Sequence, residues 1–197
     1  MSNSSRLIAF GCSLTYGHGL PDCHVPPTEP GLEPSYFAWP HILAEKLGRE
    51  CVNLSEPGSS NKRIWHTLTN FKFQESDIVF VLWASTDRNC VLTDQHTIKD
   101  IGPWMDDQDY YKNYHTEYDA TMQTKLYISH SNLIRSGIHN LIPGIKYNHL
   151  LTLAGITVTH LPVYIRDYVG SYPLALDDKH PGVECHKVYA EEICKLI

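Results

Sequence analysis

The sequence predicts an α/β fold, a three-layer sandwich in which a central parallel sheet carries helices on both faces. Short apolar runs bounded by turn residues alternate four times with stretches of helical periodicity. The strongest run, SDIVFVLWAS at 76–85, is almost continuously apolar, as a strand buried on both faces must be. The chain has 197 residues, 42% of them hydrophobic and 19% charged, which suffices for one sizeable core. A single domain over 1–197 is therefore expected.

The elements follow in order. RLIAF at 6–10 reads as a short buried strand that ends at Gly11, where a turn or helix begins. Residues 21–35 carry five prolines and read as an irregular loop. Trp39, Ile42, Leu43 and Leu47 then fall at helical spacing, which predicts a helix from Pro40 to Leu47 with Gly48 beyond its end. CVNLS at 51–55 is a second strand, followed by the turn-rich EPGSSNKR and a helical RIWHTLTNF at 63–71. The run at 76–85 is the third strand, GITVTHLPVYI at 155–165 the fourth, and HKVYAEEICKLI at 186–197 a terminal amphipathic helix. This alternation favours a doubly wound, flavodoxin-like sheet. Residues from about 94 to 135, rich in Asp, Tyr, Lys and His, exceed a minimal version of it and read as an insertion between the third and fourth strands.

Composition narrows the function classes. The formal net charge is −6 and no stretch gathers several Lys and Arg, which argues against a nucleic-acid partner. No run of 18 apolar residues occurs and the N-terminal apolar segment is short for a signal peptide, so neither a membrane nor export is expected and a cytoplasmic location is. Six scattered cysteines form no C-x-x-C pair and are read as reduced thiols. A metal site of His18, Cys23 and His24 is discounted, and no metal or organic cofactor is expected.

In open α/β sheets ligands gather at the carboxyl ends of the strands, where the sequence places Ser13, Gly58, Thr86 and, near the C-terminus, Asp177 with His180. A serine that opens a helix exposes its Oγ, and its N–H is among the unpaired donors of the first turn, so one residue can serve as nucleophile and oxyanion donor. Asp177 lies three residues before His180, close enough for a carboxylate to hold the imidazole Nδ1–H and leave Nε2 as the base. Ser13 also fits a plain helix cap, and Asp177 with His180 a solvated turn ahead of Pro181. The two elements together are more specific than either alone.

FGCSLTYG resembles the first block of the SGNH/GDSL hydrolases, G-D-S-x-T-x-G, with Ser13 at the nucleophile and Cys12 where Asp is common. NLSEPGSSN resembles the second block, with Gly58 at the oxyanion glycine, and DKHPGVECHKVYA the last, D-x-x-H-P, with Asp177 and His180 as acid and base. The third block departs: in VLWASTDR, Ala84 replaces a glycine and Thr86 falls at the oxyanion asparagine. Either the Thr86 hydroxyl or the Asn61 amide replaces that donor; Asn61 also fits a local cap. The resemblance implies the SGNH-hydrolase fold and a Ser13–His180–Asp177 triad that removes a small acyl group, with a short ester or an O-acetylated glycan as substrate. The wording of the first and third blocks also resembles small SGNH proteins of bacteriophages. That raises a second reading: a weakly catalytic or non-catalytic binding protein of a virion, whose partners are copies of itself or other virion proteins. The aromatic stretch of Trp104, Tyr110, Tyr111, Tyr114 and Tyr118 suits sugar stacking or such a contact, whereas Trp39, Trp65 and Trp83 read as core. Arg88 reads as one half of a surface ion pair or as a binder of a substrate anion.

Overall fold

The computed structural model describes residues 5–85, 87–92, 98–105, 126, 158–161, 165, 170–195 and 197. In chain order the elements are β1 Arg6–Phe10, α1 Ser13–Tyr16, β2 His24–Val25, β3 Glu29–Pro30, α2 Trp39–Lys46, β4 Glu50–Asn53, α3 Asn61–Asn70, β5 Ile78–Val81, β6 Asn89–Leu92, β7 Ile98–Ile101, β8 Val158–His160 and α4 Val183–Cys194. The main sheet has four strands in the order β4-β1-β5-β8, and all of its pairs are parallel. Counting only these strands, the order is 2-1-3-4, that of a flavodoxin-like sheet. The order in which strands are added reverses between β1 and β5, which marks the carboxyl ends of those strands as the place for a ligand.

Leu7, Ile8, Ala9 and Phe10 are all fully buried, as a central strand covered on both faces requires. Ala9 pairs with Phe80 and Phe10 with Val81, so Phe80 and Phe10 point to opposite faces. Phe80 meets Trp39 of α2, which also packs edge-on against Tyr189 of α4. Phe10 meets Phe71 and Phe73, just beyond α3. The sheet is thus the middle of three layers, with α2 and α4 on one side and the end of α3 on the other. Trp39 and Trp83 are core, and Trp65 packs against it half-buried.

Several boundaries differ from expectation. The third strand stops at Val81 because its partner β1 ends at Phe10; Leu82 makes one last bond, from its N–H to Phe10 O at 2.9 Å, and the chain continues buried to Ala84 without a ladder. Residues 21–35 hold a two-residue antiparallel pair, His24–Val25 with Glu29–Pro30, where only loop was expected. The terminal helix, expected at 186–197, runs from Val183 to Cys194, and Pro181 ahead of it bridges to Leu174. Of the expected fourth strand, residues 155–157 and 162–164 lie outside the described residues, as do most of 94–135. The start of that segment completes the β6–β7 hairpin. Among the described residues, no helix is long and apolar enough to cross a membrane.

One contact across the α2–α4 layer gives the fold a pH dependence. The first N–H of α2, on Trp39, has no intrahelical acceptor; it donates to Nδ1 of His186 on α4 at 3.1 Å. His186 is 1% exposed, and burial first, then the neighbouring His180, pushes its pKa from 6.5 down to about 3. The unfolded chain binds this proton between those values and the native chain does not, so stability is fully present above pH 6.5 and is lost as pH falls toward 3. The expected loss is on the order of 4 kcal/mol. Thermal unfolding between pH 7 and 4 checks it, and the slope should be shallower in His186→Gln.

Candidate active site

Four segments converge at the carboxyl edge of the sheet. The first follows β1. Cys12 is extended and its carbonyl accepts from the N–H groups of Thr15 and Tyr16, each at 2.9 Å, which winds the single turn α1. Ser13 opens that turn and is 4% exposed, and its N–H has no acceptor within the helix. Its carbonyl accepts from Gly17 at 3.0 Å and from His18 at 3.1 Å, which closes the turn.

The second segment follows β4. Asn53 Nδ2 donates to Thr15 O at 2.8 Å and so ties this loop to α1. Beyond it Gly58 adopts φ +82°, a left-handed conformation that glycine adopts without steric cost. Ser60, not Asn61, caps α3, its Oγ accepting from Arg63 N at 3.3 Å. The Asn61 side chain instead reaches the end of β5, the third segment: Oδ1 accepts from Ala84 N at 2.7 Å while Nδ2 donates to Ala84 O at 3.0 Å. This reciprocal pair fixes a buried amide at the switch point. Thr86, the other candidate donor, lies outside the described residues.

The fourth segment is the loop before α4. Asp177 Oδ1 accepts from the N–H groups of Lys179 at 3.1 Å and His180 at 3.0 Å, and Oδ2 accepts from His180 Nδ1–H at 2.5 Å. Burial alone would raise the Asp177 carboxyl, but these hydrogen bonds outweigh it and hold the group below the usual carboxylate range. The side chain of Asp177 is 1% exposed and that of His180 16%, so a buried carboxylate holds an imidazole that solvent can reach. With the proton on Nδ1, the basic nitrogen is Nε2.

This pair rests directly on the turn after α1. Leu176 N–H donates to Gly19 O at 2.9 Å, and the His18 ring stacks on the His180 ring with centroids 4.5 Å apart and planes at 20°. His18 Nε2–H donates to Thr28 O at 2.8 Å, which anchors the stacking ring from behind. The sequence reading missed His18 as a neighbour of His180. Its position five residues after Ser13 held the only cue, and one turn of helix plus the bend at Gly17 turns it toward the C-terminal loop. Among the described residues, His18, Asp177 and His180 bring metal-ligating atoms within 4.8 Å of one another. Both Asp177 oxygens are already engaged, as are His180 Nδ1 and His18 Nε2, so the arrangement suits proton transfer better than a metal.

Gly19 is the tight point. A Cβ there would lie 2.7 Å from Cγ of Asp177, at φ +83°. Gly19→Ala is therefore expected to displace the carboxylate and cost about 1–3 kcal/mol of stability. The melting temperature checks it.

No family model and no curated protein sequence matches the chain. Solved structures do resemble it. A lipolytic protein of the G-D-S-L family from Desulfitobacterium hafniense is 11% identical over 98% of this chain and 99% of that one, with a TM-score of 0.47. A family 2 carbohydrate esterase with a carbohydrate-binding domain from Corynascus thermopiles is 14% identical over 97% of this chain and 64% of that one, with a TM-score of 0.49. Another carbohydrate esterase, whose active site shows divergent catalytic and non-catalytic binding functions, is 13% identical over 100% of this chain and 65% of that one, with a TM-score of 0.50. The chain thus spans about two thirds of the length of these carbohydrate esterases. The α/β fold, with its parallel β4-β1-β5 core, is that of the carbohydrate esterase with the TM-score of 0.50.

Proposed function

We propose that this protein is a serine ester hydrolase that removes a small acyl group, with an O-acetylated glycan as the substrate class. The observation that carries the reading is the Asp177–His180 pair, held against the turn that Ser13 opens at the switch point of the sheet. Ser13 Oγ attacks the ester carbonyl as His180 Nε2 takes its proton, and His180 then protonates the leaving alcohol. Water, activated by the same nitrogen, cleaves the acyl-enzyme and restores Ser13. Asp177 keeps the imidazole in the required tautomer and stabilises its charged form. The N–H groups of Ser13 and Gly58 hold the oxyanion, together with a side-chain donor from Asn61 or Thr86.

The choice of glycan follows the carbohydrate esterases that share the fold. Labelling by a fluorophosphonate, located at Ser13 by peptide mass spectrometry, with turnover of p-nitrophenyl acetate, tests the reading. Folded protein that neither labels nor turns over would overturn it and leave the fold as a scaffold for binding. The third oxyanion donor is found by comparing Thr86→Val with Asn61→Ala: removal of the donor in use is expected to lower kcat by about 10²–10³ with little change in KM.

A further inference from the structure

The β6–β7 hairpin reaches the Gly58 side of the site and carries buried polar groups that the hydrolytic reaction does not use. Its register pairs Asn89 with Ile101 and Cys90 with Asp100, so Arg88 stands across from Gly102, and Arg88, Asp100 and Gly102 share a face. Gly102 leaves room on that face for the Trp104 ring, which fills the space of a side chain: a Cβ there would lie 2.1 Å from Cη2. The same ring comes within 3.4 Å of where a Cβ of Gly58 would sit. Trp104 is nevertheless 49% exposed, and Arg88 Cζ lies 5.1 Å from its ring centroid.

Three polar atoms in this cluster lack a hydrogen-bond partner although they are buried: Nε and Nη1 of Arg88 and Oδ1 of Asp100. Asp100 Oδ2 pairs with Arg63, which also pairs with Glu56, so one carboxylate oxygen is committed and the other is not. Buried donors and acceptors are rarely left unmade, because each costs about 1–3 kcal/mol. Here donors and an acceptor stand together beside an exposed aromatic ring.

The mixture selects the ligand. An anion would meet the guanidinium favourably but the Asp100 carboxylate unfavourably. Once the two side chains turn to open these buried atoms, a hydroxyl does both jobs, donating to Asp100 Oδ1 and accepting from Arg88, and neighbouring C–H groups can rest against the negative face of an indole. We propose that Arg88, Asp100 and Trp104 form a subsite for a neutral, polyhydroxylated sugar ring beside Gly58. Its place next to the ester rests on the hydrolase reading above; the sugar binding does not.

The test uses wild-type protein titrated with the unacetylated neutral hexasaccharides cellohexaose and xylohexaose and with the acidic tetragalacturonate. Binding is followed by calorimetry and by tryptophan fluorescence. Saturable binding of a neutral sugar is expected, at least tenfold tighter than tetragalacturonate and weakened at least tenfold in Arg88→Met and in Asp100→Asn. Arg88→Lys, which keeps the charge but not the planar fork, should remain weak while melting with wild type, and thermal melts on every variant separate lost binding from misfolding. A preference for tetragalacturonate, no neutral binding by folded wild type, or wild-type affinity in folded variants would each overturn the subsite. Sugar binding without turnover of p-nitrophenyl acetate keeps the subsite and removes the hydrolase reading, while turnover without sugar binding does the reverse.

Discussion

Ser13→Ala is expected to lower turnover of p-nitrophenyl acetate by about four to six orders of magnitude, while leaving the melting temperature within about two degrees of wild type. The size follows from the role proposed for Oγ, since without it no acyl-enzyme forms and only binding and the oxyanion donors remain. The small effect on stability follows from the surroundings. α1 is wound by backbone bonds to Cys12 O and closed by bonds to Ser13 O, and none of these involves the hydroxyl. Asp177→Asn should cost about 10⁴-fold by releasing the imidazole from the tautomer that presents Nε2 as base. Because hydrogen bonds hold the Asp177 carboxyl below its usual range, the orienting carboxylate persists through mildly acidic pH and is lost only below that range. Pre-steady-state and steady-state kinetics on the two variants, with thermal melts on the same samples, check both statements. Equal activity in wild type and Ser13→Ala would remove the nucleophile from the proposal.

Asp77→Ala is expected to destabilise the fold by about 1.5–3 kcal/mol, the cost of removing a buried charged acceptor from a partly buried Arg6 and from Gln74 N–H. Arg6 Nε–H donates to Asp77 Oδ1 at 2.9 Å and Nη2 to Oδ2 at 2.7 Å, a bidentate pair in which the Asp77 side chain is fully buried. Gln74 N–H also donates to Oδ2, at 2.8 Å, and the guanidinium lies 5.5 Å from the Phe71 ring centroid. The pair joins the amino ends of β1 and β5, and in a parallel sheet these lie opposite the carboxyl ends where the site is built. Chemical denaturation should therefore show the full loss, while kcat/KM of the remaining folded protein stays within about twofold. A comparable loss of kcat/KM in that folded fraction would contradict the separation of the two ends.

The fold was legible because its cues are local and repeated. Four apolar runs separated by helical stretches admit few arrangements other than a doubly wound sheet, and burial on both faces explains why the 76–85 run lacks alternation. Errors arose where one segment's end depends on another's. The third strand stops early because β1 turns away at Gly11, and α4 starts at Val183, ahead of the expected 186, directly after the residue that bridges to Leu174 and the Gly182 that follows it. Asn61 illustrates the same limit: a Ser-Ser-Asn turn suggests a cap, but whether the amide faces its own helix or Ala84 depends on where β5 ends.

By itself, then, the sequence determined the layers, the strand-to-helix junction that bears Ser13 and the Asp177–His180 spacing, all set by backbone geometry within a few residues. Only the tertiary structure decided that His18 stacks on His180, that Gly19 makes room for the Asp177 carboxylate, and that Arg88, Asp100 and Trp104 share one hairpin face beside Gly58. The first two contacts join residues far apart in the chain and the third depends on strand register, so their partners are selected by packing and pairing, which no local pattern encodes.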